Sequence, residues 1–416
     1  MQPVWFPYTQ MAGAPKPIKI SSGKGALLFP ENGEPIIDAI ASWWVNAHGH
    51  AHPHIAGKIF EQAKKLEQVI FSGFTHSPAE QLAKKLVEIT PQPLQYVFYS
   101  DNGSTAVEVA LKMAWQYNQN NRKVRRKILA LENSYHGDTV GAMSVSARSA
   151  FTKPFQDWLF EVHFLPPPYP GQERKSFDML KNFLHQHGDD LAAFIYEPLI
   201  QGASGMLMYS AESLGEMIKM VKTKGALCIA DEVMTGFWRT GTCFASEQCE
   251  SPPDILCLSK ALTGGFMPLG VTMASDEIYQ AFLGEWETKT LFHGHSFTGN
   301  PLACSAALAS LELFEDADFG PSYHTLLDRQ LSFTQEVIHH PSLKDARVQG
   351  SIVALERTGQ SGYFSSDRNK AYRFFLENNV LLRPLGNVWY ILPPYCITHR
   401  ELELVHNTII RGLEIK

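Results

Sequence analysis

The stretch ALCIADEVMTGFWRTG (226–241), with ILCLSKALTGG (255–265) close behind it, decides the fold. Each opens on a short apolar run that stops at a charged group, Asp231-Glu232 in the first and Lys260 in the second. Runs this short, apolar without alternation, have the texture of strands covered on both faces. Working outward, the same texture recurs in YVFYS (96–100), KILALE (127–132), AAFIYE (192–197) and LGVTMAS (269–275). Helical periods fill the spaces between them. From Thr105 to Gln116, for example, Val107, Ala110, Leu111 and Ala114 fall on one face, the stripe of a helix lying on a sheet. Leu165 to Gly171 is rich in proline and reads as a loop. The alternation predicts an α/β fold, with a mainly parallel sheet in a large domain. From about Ser310 amphipathic helices surround short strands such as SIVALE (351–356) and VWYILPP (388–394), which predicts a smaller α+β domain. The expected organisation is an N-terminal segment over 1–50 that joins the small domain and the active site, a large domain over 51–305 and a small domain over 306–416.

Open α/β sheets bind ligands at the carboxyl ends of their strands, so the residues just after each apolar run are the first candidates. After YVFYS come Asp101-Asn102-Gly103-Ser104 and a helix. Free N–H groups and the helix dipole there suit a phosphate, and a plain helix cap by Asp101, Asn102 or Ser104 reads equally well. Asp231 ends its strand as a buried carboxylate in need of a partner. A protonated pyridine nitrogen would serve, and an Asp-Glu metal site or a capping pair are the alternatives. Lys260 ends another strand, where desolvation would depress its pKa and make it a nucleophile; a lysine snorkelling to solvent is the bland alternative. Its company, an aspartate at one strand end and a phosphate-type turn at another, favours the first reading.

The composition narrows the class. With 416 residues, 44% hydrophobic and 19% charged, the chain buries a large core and divides into more than one domain. A net charge of −6 without long runs of one sign points away from nucleic-acid and membrane partners and toward small molecules. The N-terminal MQPVWFPYTQM has neither a basic n-region nor an apolar h-region, and no later run suits a bilayer span, so a soluble cytoplasmic protein is expected. Six scattered cysteines without a C-x-x-C pair suit reduced thiols. The histidines 48, 50, 52 and 54 alternate in HGHAHPH, which in an extended chain would face one side; Pro53 argues for a structural loop, and without a second ligand set no metal is expected.

Five segments, SDNGSTAVEVALKMA (100–114), NSYHGDT (133–139), ADEVMTGFWRTG (230–241), LSKALTGGFMPLG (258–270) and HGHSFTGNPLACSAAL (293–308), together resemble the class III aminotransferases of pyridoxal-phosphate (PLP) fold type I. The likeness runs in order over nearly the whole chain. It implies that Lys260 holds the cofactor as a Schiff base, that Asp231 pairs with the pyridine nitrogen and that Val233 packs on the ring. Gly103 and Ser104 would bind the phosphate, and Tyr135 would stack on the other face. Ser296, with His295 beside it, would complete the phosphate site from a second subunit, which implies a homodimer with shared active sites. Gln201 in YEPLIQGASG resembles a segment that touches the cofactor.

The segments VWFPYTQM (4–11), DAIASWWVNAHGHAHP (38–53) and LLRPLGNVWYILPPY (381–395) resemble, more narrowly, the adenosylmethionine-8-amino-7-oxononanoate aminotransferases of biotin synthesis. That likeness implies a substrate pocket lined by Tyr8, Trp43, Trp44, Tyr135 and Tyr390, with Tyr8 joining Lys260 and Asp231 in catalysis. It also implies that Arg383 takes a substrate carboxylate, that Gly294 contributes backbone, and that Arg239 is a pocket arginine, for which a surface charge is the alternative. The residue types suit the chemistry: aromatic walls for a long apolar chain and for a sulfonium, and an arginine fork for the terminal carboxylate. The implied reaction is a ping-pong transfer of an amino group from S-adenosylmethionine to 8-amino-7-oxononanoate, giving 7,8-diaminononanoate. A lysine-donor enzyme, a transaminase of ornithine derivatives or ω-amino acids, an aminomutase and a non-catalytic regulator are the rivals. Three departures stand out: Phe6 where a histidine is usual, Trp238 in place of the glycine of GFGRTG, and His295-Ser296 in place of Pro-Thr.

Overall fold

The computed structural model describes residues 3–359, Tyr363 and residues 365–414. Its centre is a seven-stranded sheet in the order Leu94–Ser100, Gly270–Ser275, Ile255–Leu258, Leu227–Asp231, Leu191–Tyr196, Lys127–Leu131 and His163–Leu165. The strand Leu227–Asp231 is parallel to both neighbours, with Ile229 opposite Ile255 and Ile195. Successive side chains of this strand enter different cores: Cys228 and Ala230 pack on one side of the sheet, Leu227 and Ile229 on the other. Burial on both faces is why the run shows no polar alternation.

The sheet is mainly parallel, as expected, with one strand running against the rest. Gly270–Ser275 is antiparallel to both Ile255–Leu258 and Leu94–Ser100. The connection from Leu258 to Gly270 holds only the single turn Lys260–Thr263, and a parallel return would need a full crossover helix. The sheet is therefore mostly, not wholly, parallel.

The helix Gly103–Asn120 follows the strand Leu94–Ser100 and buries Val107, Ala110, Leu111 and Ala114, as its periodicity required. Asn102 caps it. Its side-chain oxygen accepts from the Thr105 N–H at 3.0 Å, while the Thr105 hydroxyl oxygen accepts from the Asn102 N–H at 3.1 Å. The cap fixes where the helix begins and which N–H groups remain free beside it.

Toward the C-terminus, Leu343–Gln349, Ile352–Arg357 and Val388–Ile391 form an antiparallel three-stranded sheet that shares a core with the helices Phe319–Val337 and His399–Glu414. The N-terminal strands Ile20–Lys24, Leu27–Pro30 and Ile36–Asp38 make a further sheet whose fourth member is Val380–Leu381, with Ile37 opposite Val380. Residues far apart in sequence thus close one sheet, and the chain after Asp38 is launched from it toward the main sheet. The helix Pro301–Phe314 runs unbroken through residue 305. Among the described residues no helix is long and apolar enough to cross a membrane.

Replacing Asn102 by alanine removes the cap acceptor while leaving every core residue in place. Urea unfolding of Asn102→Ala is expected to show a loss of about 1 kcal/mol with an unchanged m-value.

Candidate active site

The carboxyl ends of the parallel strands meet at a cavity of about 470 Å³ lined by Trp44, Gly103, Ser104, Tyr135, His136, Glu197, Asp231, Val233 and Lys260, among others. Strand direction alone delivers Asp231, Glu197 and Lys260 there, since each ends or directly follows a strand of the same sheet. Lys260 opens a tight turn with φ of +46°, a left-handed conformation that turns the chain sharply at the strand end. Its amine lies over the Trp44 indole, 4.5 Å from the ring centroid, and pairs with no carboxylate within 4.0 Å among the described residues. Withdrawal from water pushes the amine down to about 8, against an opposing pull from Asp231 and Glu197.

Asp231 is buried and held from two sides. The His136 ring nitrogen Nδ1 lies 2.7 Å from one carboxylate oxygen, and the Val233 N–H donates to the other at 3.1 Å. The other ring nitrogen of His136 is buried with no hydrogen-bond partner among the described residues. Glu197, also buried, accepts from the N–H groups of Tyr135 at 3.0 Å and Gly202 at 3.1 Å. Burial pushes its carboxyl up to about 7. Neither His136 nor Glu197 was singled out from the sequence. Glu197 ends the run AAFIYE, so the strand-end rule that picked Asp231 would have found it; His136 had only its place between Tyr135 and Gly137 as a signal.

Beside Val233, Gly103 and Ser104 bring the first turn of an 18-residue helix to the cavity. A side chain at position 103 is impossible without movement, since a Cβ there would come within 2.6 Å of Val233 Cγ1. The result is a backbone cradle of free N–H groups suited to an anion.

The two tryptophans lie on a tight turn and not in a strand. Ala41, Ser42, Trp43 and Trp44 take φ values of +48°, +45°, +71° and +75°, a left-handed turn. Trp44 is buried and donates its indole N–H to Tyr390 at 3.1 Å; Trp43 is 38% exposed and lies beneath the Arg383 guanidinium, 4.8 Å from its centroid. Tyr8 packs on Trp43 with ring centroids 5.7 Å apart and donates to the Asp138 carboxylate. Burial first, and then Asp138, push the Tyr8 hydroxyl up to about 12. Tyr8, Trp43 and Arg383 therefore gather in one place, while Tyr390 stands behind Trp44 as its support.

Several sequence expectations find other surroundings. Arg239 is not a surface charge: it is fully buried, donates to the Pro393 carbonyl at 2.8 Å and to those of Trp44 and Asn46 at 3.4 Å, and lies over the Tyr395 ring. Gln201 donates to the Glu132 carbonyl at 2.8 Å and accepts from Tyr169, outside the cavity lining. Trp238 turns to Phe319 and Tyr323, with centroids 5.8 and 5.7 Å away, and does not narrow the cavity. Gly294, His295 and Ser296 lie on a loop away from this cavity, where the Ser296 carbonyl accepts from Gln68 at 2.9 Å. The alternating histidines do not all face one side: His48 and His52 meet edge to face with ring centroids 6.3 Å apart, and the others turn elsewhere. His48 meets Ser310 at 3.0 Å, His50 meets Asp38 at 3.0 Å and His54 meets Glu312 at 2.6 Å, while His52 precedes the helix Pro53–Ala63.

A family model described as aminotransferase class III matches residues 8–413. The adenosylmethionine-8-amino-7-oxononanoate aminotransferase of Synechococcus elongatus is 46% identical over 98% of this chain and 97% of its own length. The solved enzyme of that name from Methanocaldococcus jannaschii superposes with a TM-score of 0.94 at 36% identity, covering 99% of this chain and 96% of that one. An amine transaminase from an uncultivated Pseudomonas species, solved in a PLP-bound form, gives a TM-score of 0.94 at 28% identity over 100% and 99% of the two chains. With its lysine, aspartate and helix cradle at the strand ends of a mostly parallel sheet, the chain belongs to the class III aminotransferases.

Proposed function

We propose that this aminotransferase uses pyridoxal phosphate to move an amino group from S-adenosylmethionine to 8-amino-7-oxononanoate, forming 7,8-diaminononanoate. The observation that carries the reading is a buried lysine amine, depressed toward neutral pH, in one cavity with a braced buried aspartate, with the indole against that amine adjoined in the same turn by an arginine-capped tryptophan.

The residues present fit the cofactor. The Gly103–Ser104 cradle suits its phosphate, the Asp231 carboxylate suits a protonated ring nitrogen, and Tyr135 and Val233 line the space between. Bound there, pyridoxal phosphate supplies an electron-withdrawing ring that lets the carbon bearing a substrate amino group lose its proton. The protein's own part is to position and to move protons. His136 and the Val233 N–H hold Asp231 in one orientation, and Glu197 fixes the Tyr135 backbone. An amine titrating near 8 is partly unprotonated at neutral pH, so Lys260 serves both as the cofactor's attachment point and as the base that carries the proton.

Arg383 supplies a fork for the carboxylate of the acceptor, and Trp43, Trp44 and Tyr8 supply walls for its apolar chain and for the cationic donor. The loop 294–296 is proposed to serve the neighbouring cavity of a homodimer, with Ser296 and His295 beside the partner's phosphate site. No nucleic-acid or membrane partner enters this reading.

The donor is tested by the visible spectrum of the loaded enzyme. S-adenosylmethionine should bleach the cofactor band, and bleaching by lysine or an ω-amino acid alone would overturn the assignment. Lys260→Ala should abolish turnover in both directions; full activity in that variant would sink the mechanism. Arg383→Ala should raise KM for the keto acid about tenfold or more, with a smaller change in kcat.

The amine also makes a stability prediction. Between about 8 and its ordinary value of 10.5 the unfolded chain binds the Lys260 proton and the folded chain does not, so the penalty is full below about 8 and fades as pH rises. Lys260→Met should therefore raise the melting temperature of the cofactor-free protein at pH 7, and the advantage should shrink by pH 10. A constant advantage across that range would refute the depressed amine.

A further inference from the structure

We propose that Asp38 is a positioning residue for the transfer reaction: through Ser42 and His50 it holds the left-handed turn that sets Trp44 against Lys260. The inference rests on the function proposed above for its kinetic reading only.

The turn needs an outside anchor. A left-handed conformation crowds the Cβ against the following carbonyl oxygen, and four such residues follow one another from Ala41 to Trp44. None is glycine; the turn closes on its own backbone through the Trp44 and Val45 N–H groups, which donate to the Ile40 and Ala41 carbonyls at 2.9 Å, but these bonds leave the left-handed cost at each Cβ in place. Conformations of this kind persist only where surrounding contacts over-determine them.

Asp38 supplies such contacts. It ends the strand Ile36–Asp38, is fully buried, and pairs its own N–H with the Ala26 carbonyl at 2.7 Å. One carboxylate oxygen accepts from the Ser42 hydroxyl at 2.7 Å and lies 3.0 Å from His50 Nε2; the other accepts from the Ile40 N–H at 3.2 Å. His50 Nδ1 in turn lies 2.9 Å from the Asn46 side-chain nitrogen. The chain from 38 to 50 is thereby laced across its interior.

Other ties act on this segment too. The Ala39 carbonyl accepts from the Leu392 N–H at 2.9 Å and the Ala47 carbonyl from the Tyr395 N–H at 2.8 Å, while Arg239 reaches Trp44 and Asn46 only at 3.4 Å. Inside the turn two side chains are gripped, the Trp44 indole by Tyr390 at 3.1 Å and the Ser42 hydroxyl by Asp38 at 2.7 Å, and the Ser42 grip is the one that ties the turn to the strand before it. Without that grip the turn can relax toward right-handed geometry, and the indole that roofs the Lys260 amine moves with it.

A double-mutant cycle separates positioning from general stability. Asp38→Ala should lower kcat about tenfold and Ser42→Ala about threefold, as the loss of a charge-assisted and then a single hydrogen bond would. In a Trp44→Ala background the same substitutions should change kcat by less than about twofold, because the residue they act through is gone. Asp38→Asn, which keeps one acceptor oxygen, should recover part of the loss. Equal losses in both backgrounds would overturn the proposal. If Asp38→Ala does not fold, Ser42→Ala carries the same cycle. Near-ultraviolet circular dichroism of the cofactor-free chain reads the indoles without any reaction: Ser42→Ala should weaken the tryptophan signal, and an unchanged signal would also overturn it. That readout stands even if no donor proves active, which would count against the proposed substrates and not against Asp38.

Discussion

An amine drawn out of water with no carboxylate in contact among the described residues is the constraint around which this molecule is arranged. Burial of a lysine costs free energy that only a special use offsets, and Lys260 sits under the Trp44 indole with Asp231 and Glu197 near enough to pull on its proton but not to pair with it. The compromise leaves the amine near 8, where either protonation state is accessible. Each neighbour that makes this possible is itself held: Asp231 by His136 and Val233, Trp44 by Tyr390, and Glu197 by two backbone N–H groups.

Such an arrangement requires a rigid frame, and the sheet provides it. Leu227–Asp231 is hydrogen-bonded on both sides and covered on both faces, so the position of Asp231 is set by the register of three strands. Lys260 follows the adjacent strand by two residues, and the antiparallel return through Gly270–Ser275 keeps the intervening loop short over the cavity. The substrate side is built differently. Tyr8, Trp43 and Arg383 come from loops that are brought together by the sheet of N-terminal strands and Val380–Leu381.

That difference explains how much of the site could be read in advance. Asp231, Lys260 and the Gly103–Ser104 turn were legible because strand ends in an open α/β sheet share one edge, so a linear rule translates into proximity. Glu197 obeyed the same rule. His136 did not: its role rests on a 2.7 Å approach to a residue far along the chain, for which adjacency to Tyr135 is no guide. Arg239 looked like either a ligand or a surface charge, and its solvation by backbone carbonyls of two distant segments has no local signature.

By itself the sequence determined the α/β class, the strands that carry the chemistry and the residue types at their ends, because periodicity and apolar runs are local properties that burial must satisfy. Only the tertiary structure decided the antiparallel strand, the left-handed turn of Ala41–Trp44 and the dispersal of His48, His50 and His54 to separate partners. These depend on long-range contacts: the lack of room for a crossover, a buried carboxylate that outweighs backbone preference, and partners supplied by remote helices and strands. The Lys260 amine owes its position to the first kind of information and its acidity to the second.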